Sequence, residues 1–213
     1  MTRSDLTHLY FLLDRSGSMQ SIKSDIEGGF AAFIAEQRTG DGECLASLSQ
    51  FDDVYEVVYV DRPVADVPPL DLRPRNMTAL HDAMGRLITD AGAKLAALPD
   101  DQRPGTVIVA VMTDGLENAS TEWHAPAIKA LVELQTSKYQ WEFLYMGADQ
   151  DAVEVGTGLG ISAANSVTYA KGKAREAMAV SAGKVSGLRR SRMSDPAAPM
   201  PAYTAEERRA LAE

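Results

Sequence analysis

Three short polar clusters in this 213-residue chain carry side chains able to do chemistry. Asp14-Arg15-Ser16-Gly17-Ser18 sets one carboxylate and two hydroxyls at alternate positions. Thr78 closes a proline-rich stretch. Thr113-Asp114-Gly115 adds a second carboxylate. Carboxylate and hydroxyl oxygens are hard donors of the type that suits Mg²⁺ or Mn²⁺. Asp14, Ser16 and Ser18, on a turn containing Gly17, can converge on one point. Each cluster alone also has an ordinary reading, because Asp, Ser and Thr are common turn and helix N-cap residues. The chemistry depends on whether the fold brings the clusters together.

The elements around them predict that it does. Leu9 to Leu13 is an apolar run that ends at Asp14, and Thr106 to Met112 is another that ends at Thr113. Short apolar runs bounded by turns read as buried parallel strands. Ile22, Ile26, Phe30, Phe33 and Ile34 mark a helix over 20–37. Leu80, Met84, Leu87, Ile88, Ala91 and Leu95 mark another, stopped by Pro99, and a third spans about Trp123 to Ser137. Gly28-Gly29 weakens the first helix by roughly 1–2 kcal/mol relative to alanines, which predicts close packing on the sheet. Cys44 to Phe51 and Val54 to Val60 are joined by so short a turn that they must run antiparallel. Residues 61–77 form a loop with four prolines. Gln140 to Met146 and Val167 to Tyr169 complete the strands, with a short helix about 149–158 between them. The expected fold is α/β: a doubly wound, Rossmann-like, mostly parallel sheet of about six strands, with one antiparallel edge strand and helices on both faces. Residues 1–170 form this domain. Residues 171–190 form a C-terminal helix packed on it or appended to it. Residues 191–213, rich in Pro, Ala and Ser, read as a flexible tail in which Thr204-Ala-Glu-Glu starts a short helix.

Composition narrows the function. The net charge is −9, but residues 171–213 hold nine basic and five acidic residues, a net +4, leaving −13 on residues 1–170. An acidic body attracts cations and disfavours nucleic acid. The single cysteine, Cys44, excludes an intrachain disulfide and suits a reducing cytoplasm. No segment reads as a secretory leader or a membrane span.

In a doubly wound sheet the strands ending at Asp14 and Asp114 can be neighbours at the switch point, with Thr78 on the same rim. Asp-x-Ser-x-Ser after an apolar strand, a Thr opening a helix sixty residues on, and Thr-Asp-Gly after a second apolar strand together resemble the metal-ion-dependent adhesion site of von Willebrand factor A domains. The likeness covers roughly residues 6–170 and is nearest to standalone bacterial or phage members. One departure is Asn76-Met77-Thr78, where members often have glycine before the threonine. The resemblance implies that Asp14, Ser16, Ser18, Thr78 and Asp114 hold Mg²⁺, with Mn²⁺ or Ca²⁺ as substitutes. Ser16 and Ser18 would bind directly, Thr78 directly or through water, and Asp14 and Asp114 largely through water. It also implies a protein partner that supplies a Glu or Asp carboxylate. The chain is then a monomeric binding module and not an enzyme.

Other residues are read against plainer roles. Asp52 and Asp53 are turn residues, though both could approach the rim and add negative potential there. Asp82, one turn after Thr78, is either a support for the metal ligands or a helix-start carboxylate. His8, His81 and His124 are isolated and suggest no zinc. Gly156-Thr-Gly-Leu-Gly160 follows a short helix rather than a strand, so it reads as a helix end. Two alternatives compete. Asp14 could be the nucleophile of a metal-dependent phosphoryl-transfer hydrolase, although such enzymes usually carry Asp-x-Asp where this chain has Ser16. The basic tail could bind nucleic acid.

Overall fold

Strand β1 (Arg3–Asp14) is the centre of the molecule, with every residue from Leu6 to Asp14 buried. The computed structural model describes residues 2–148 and 150–213. β1 pairs in parallel with β2 (Glu43–Phe51) on one side and β4 (Pro104–Thr113) on the other. β3 (Tyr55–Pro63) runs antiparallel along β2. β5 (Glu142–Ala148) and β6 (Ser166–Tyr169) extend the sheet in parallel beyond β4. The strand order is β3-β2-β1-β4-β5-β6. The chain winds outward from β1, returns, and winds outward on the other side, so the switch point lies between β1 and β4.

The two-residue period of β1 divides the core. Leu9, Phe11 and Leu13 face α1 (Lys23–Arg38) and α5 (Ala174–Arg192). Phe11 meets Phe30 and Phe33 edge-on at 5.0 and 5.1 Å between ring centres. Tyr10 and Leu12 face α2 (Leu80–Ala97), α3 (Ala125–Tyr139) and α4 (Ala152–Gly158). Helices thus cover both faces. Position 149, where the expected short helix was to begin, lies outside the described residues. Among the described residues no helix is long and apolar enough to cross a membrane.

Three expectations are corrected. Gly29 makes room for a helix rather than for the sheet: a Cβ there would lie 3.1 Å from the Arg175 backbone and 3.2 Å from Met178, both on α5. Residues 191–213, expected to be flexible, are packed down. Met200, Tyr203 and Leu211 join the core. The Tyr203 hydroxyl shares a 2.6 Å hydrogen bond with Ser181. A capping box between Thr204 and Glu207 starts α6 (Ala205–Ala212). A few large anchors hold a stretch whose average composition suggests none. Four of the nine cations of this end are also bonded within the fold. Lys184 donates to the Ala202 carbonyl and Glu207, Arg189 to the Gln37 and Asp41 carbonyls, and Arg192 to the Ala198 and Gln140 carbonyls and to Glu142. Arg208 donates to the carbonyls of Ser166 and Ala163. Cations bonded this way do not form the solvated basic stripe that nucleic acid needs.

Candidate metal centre

The carboxyl ends of β1 and β4 lie side by side, with Leu13 opposite Met112, so Asp14 and Thr113 end neighbouring strands. Asp14 is fully buried. One of its oxygens accepts the Ser16 amide at 2.6 Å, and the other accepts the Thr113 hydroxyl at 2.6 Å. The first bond folds the chain back after the strand and aims Ser16 and Ser18 at the rim. Their hydroxyls are 3.1 Å apart, and Ser18 donates to Asp114 at 2.6 Å. A short 3₁₀ turn, Gly17–Ser21, follows, and buried Met19 pins it to the core.

Thr78 reaches this cluster from the proline-rich loop, one residue before the N-cap of α2. The loop is tied at several points. The Gly17 amide donates to the Asn76 carbonyl at 3.2 Å, and the Arg75 amide to the Arg15 carbonyl at 2.8 Å. Thr78 and Asn118 exchange two bonds: the Thr78 amide donates to the Asn118 side chain at 2.9 Å, and the Asn118 amide donates to the Thr78 carbonyl at 3.0 Å. Asn76 adopts a left-handed conformation, φ 60°. That is the backbone state that favours glycine and that asparagine tolerates best among the others. Asparagine therefore holds this turn without a glycine.

Gly115 gives the sharpest measure of convergence. A Cβ built there would lie 3.2 Å from Thr78 Oγ1, 3.9 Å from Ser18 Oγ and 4.0 Å from Asp14 Oδ2. Three side-chain oxygens from three loops thus surround one spot that glycine leaves open. Through Ser18, the same group includes Ser16 and Asp114. The structure brings all five sequence-derived candidates together. Among the described residues no three His, Cys, Asp or Glu side chains gather as a metal-holding group. The hard oxygen donors of this rim are its three hydroxyls together with two aspartates. That donor set fits a hard divalent cation. Burial pushes the Asp14 carboxyl up to about 6; Asp114 adds to the rise, against the Thr113 and Ser16 donors. Lys171, just after β6, brings its ammonium to 4.0 Å from Asp114.

Asp52 and Asp82 bond to none of the five, but they hold the loops that carry them. Asp52 is fully buried and accepts Arg15 at 3.2 Å, Arg75 at 2.6 Å and the Val54 amide at 2.7 Å, while its carbonyl accepts the Ala79 amide. It therefore ties the turn after β1 to the loop before Thr78. Asp82 accepts three successive backbone amides, Thr121, Glu122 and Trp123, at 2.7–2.9 Å. These donors hold its carboxyl below the usual range, against the effect of burial. Sequence reasoning did not single out Arg15, Asn118 or Glu117. Glu117 accepts the His81, Ala119 and Ser120 amides and the Ser120 hydroxyl, which fixes the loop after Asp114. Arg15 lies inside the first motif and was the readable one. Asn118 bonds to backbone forty residues away and leaves no local pattern, and Glu117 combines bonds within its own loop with one to the distant His81 amide.

No protein-family profile matches the chain, and no curated protein is significantly similar to it. Solved structures do resemble it. One is a von Willebrand factor type A protein from Catenulispora acidiphila, with a TM-score of 0.57 and 15% identity over 85% of this chain and 43% of that one. A second is the pilus adhesin SpaC from Lactobacillus rhamnosus GG in its open conformation, with a TM-score of 0.63 and 12% identity over 85% of this chain and 30% of that one. A third is the von Willebrand factor domain of the pilus tip protein Mfa5 from Porphyromonas gingivalis, with a TM-score of 0.54 and 11% identity over 84% of this chain and 94% of that domain. The chain spans less than half the length of the first two. At such identities the likeness establishes the fold, which is that of von Willebrand factor A domains.

Proposed function

We propose that this protein is a metal-dependent protein-binding module. Ser16, Ser18 and Thr78 hold Mg²⁺ through their hydroxyls, Asp14 and Asp114 balance its charge from behind, and Mn²⁺ or Ca²⁺ can replace it. When bound, the cation supplies a Lewis-acidic point able to take a carboxylate from another molecule. The observation that carries this reading is the ring of oxygens from Asp14, Ser18 and Thr78 around the gap beside Gly115. Neutral hydroxyls in direct contact leave a divalent cation under-neutralised, and an anionic partner completes it through a strong charge-assisted contact. The partner is a protein that offers a Glu or Asp side chain. The adhesin and pilus-tip proteins among the similar structures are in keeping with a binding role.

A recognition role also suits the carboxylates better than hydrolysis. A phosphoryl-accepting aspartate needs an oxygen open to in-line attack. Asp14 has no exposed surface, and each of its oxygens already accepts a hydrogen bond. Calorimetric titration with Mg²⁺ and Mn²⁺ tests the reading. Wild type should bind one equivalent, more tightly when glutamate is present, and Ser16→Ala/Ser18→Ala should lose binding while staying folded. Equal metal binding by the two proteins would sink it.

A further inference from the structure

The rim of the candidate metal centre combines hydrogen-bonded carboxylates with exposed apolar side chains. Among the described residues four of its carboxylates are taken up by donors of the protein: Asp14 by Thr113 and Ser16, Asp52 by Arg15 and Arg75, Asp82 by three amides, and Glu117 by three amides and a hydroxyl. Large apolar side chains point outward instead. Met77, next to Thr78, is 52% exposed, and Leu116, next to Gly115, is 62% exposed. Val54 is 52% exposed on the neighbouring turn, beside Asp53, whose carboxylate takes the Asn76 side-chain amide at 2.8 Å. Exposed apolar side chains gathered at a functional rim mark an interaction surface more than singly scattered ones do. The loops that carry them are braced by the Thr78–Asn118 bonds and by Glu117, so the surface is preformed. Lys171, 41% exposed at its side chain, adds the nearby cation.

We propose that the partner segment presents one acidic residue flanked by large aliphatic side chains, the carboxylate taking the metal position while the aliphatic groups lie on Met77 and Leu116. This rests on the metal-dependent reading above and specifies the partner for that same site. The donors on these four carboxylates lessen the repulsion an acidic segment would otherwise meet. The exposed Met77 and Leu116 supply contact area, and covering about 55 Å² of apolar surface is worth a factor of ten in affinity.

The test uses the full chain, Mn²⁺, and three capped peptides: acetyl-Gly-Glu-Gly-amide, acetyl-Leu-Glu-Leu-amide and acetyl-Leu-Gln-Leu-amide. Calorimetry gives the Mn²⁺ dissociation constant, and paramagnetic line broadening of peptide resonances gives peptide affinity. Leu-Glu-Leu should bind at least tenfold more tightly than Gly-Glu-Gly, and Leu-Gln-Leu should not bind. Met77→Ser/Leu116→Ser should abolish the difference and leave Mn²⁺ binding unchanged. If Mn²⁺ binds but the two Glu peptides bind equally, or neither binds, this inference falls and the metal site stands. If Mn²⁺ does not bind, or if Leu-Gln-Leu matches Leu-Glu-Leu, the metal–carboxylate reading falls and takes the inference with it.

Discussion

Replacing Gly115 by alanine separates the candidate site from the fold. The glycine is not in the left-handed region, where the positive-φ glycines are Gly42 and Gly160, so alanine can adopt its backbone. The added carbon would sit 3.2 Å from Thr78 Oγ1 and about 4 Å from the Ser18 and Asp14 oxygens. Relieving the nearer contact needs a shift of a few tenths of an ångström. Alanine also restricts the unfolded chain, worth ~0.4–1 kcal/mol in its favour. The two effects oppose each other, so stability should change by no more than about 1 kcal/mol, or about 2–4 °C in Tm. The cation is less forgiving. Mg²⁺ holds its oxygens at about 2.0–2.1 Å in a near-ideal octahedron, and a methyl group in the gap displaces Thr78 or excludes a ligand. Mg²⁺ affinity should fall at least tenfold, about 1.4 kcal/mol. Gly172→Ala is the control, because a Cβ there meets nothing within 4 Å. Scanning fluorimetry without metal and calorimetry with Mg²⁺ read the two effects. A folded Gly115→Ala protein that binds Mg²⁺ as wild type does would refute the assignment of this gap to the cation.

Further outcomes follow from other residues. Burial lowers the His8 imidazole to about 4; between that and its ordinary value near 6.5 only the unfolded chain takes the proton, so stability should fall by about 3 kcal/mol as pH drops through this window. Urea midpoints at pH 7 and 4.5 should show a smaller loss for His8→Gln than for wild type, and identical losses would refute the point. Asp82→Ala strips the acceptor from three backbone amides, and at ~1 kcal/mol for each bond it should lower stability by about 2–3 kcal/mol. Hydrogen exchange should then be faster at Thr121, Glu122 and Trp123, and unchanged rates there would count against it. Tyr203→Ala removes a buried ring and the bond to Ser181 and should lower stability by roughly 3–5 kcal/mol. Limited proteolysis should then cut between residues 193 and 204, and continued resistance would mean that other contacts anchor this end.

The sheet and the rim were legible because both rest on local patterns. A strand buried on both faces reads as an apolar run, and the alternation of strands and helices sets the winding that brings Asp14 beside Thr113. The five oxygen-bearing residues each lie at the end of such an element or where one begins. What was not legible depends on partners far apart in sequence. The reason for Gly29 is Met178 on α5, 149 residues away. The cations near the C-terminus read as a basic tail that could bind nucleic acid, yet Arg189 and Arg192 close off backbone carbonyls. Residues 191–213 are held by single anchors such as Tyr203, which compositional averaging hides. Asp52 and Asp82 were noticed as neighbours of the site. Their work of joining loops appears only when Arg15, Arg75 and the amides of 121–123 are in place.

In the proposed function a divalent cation sits among the hydroxyls of Ser16, Ser18 and Thr78. Anomalous diffraction from crystals grown with Mn²⁺ addresses it directly. One strong peak should lie within about 2.0–2.4 Å of the Ser16 and Ser18 hydroxyl oxygens and be absent in crystals of Ser16→Ala/Ser18→Ala. A peak elsewhere, or none on this rim, would contradict it.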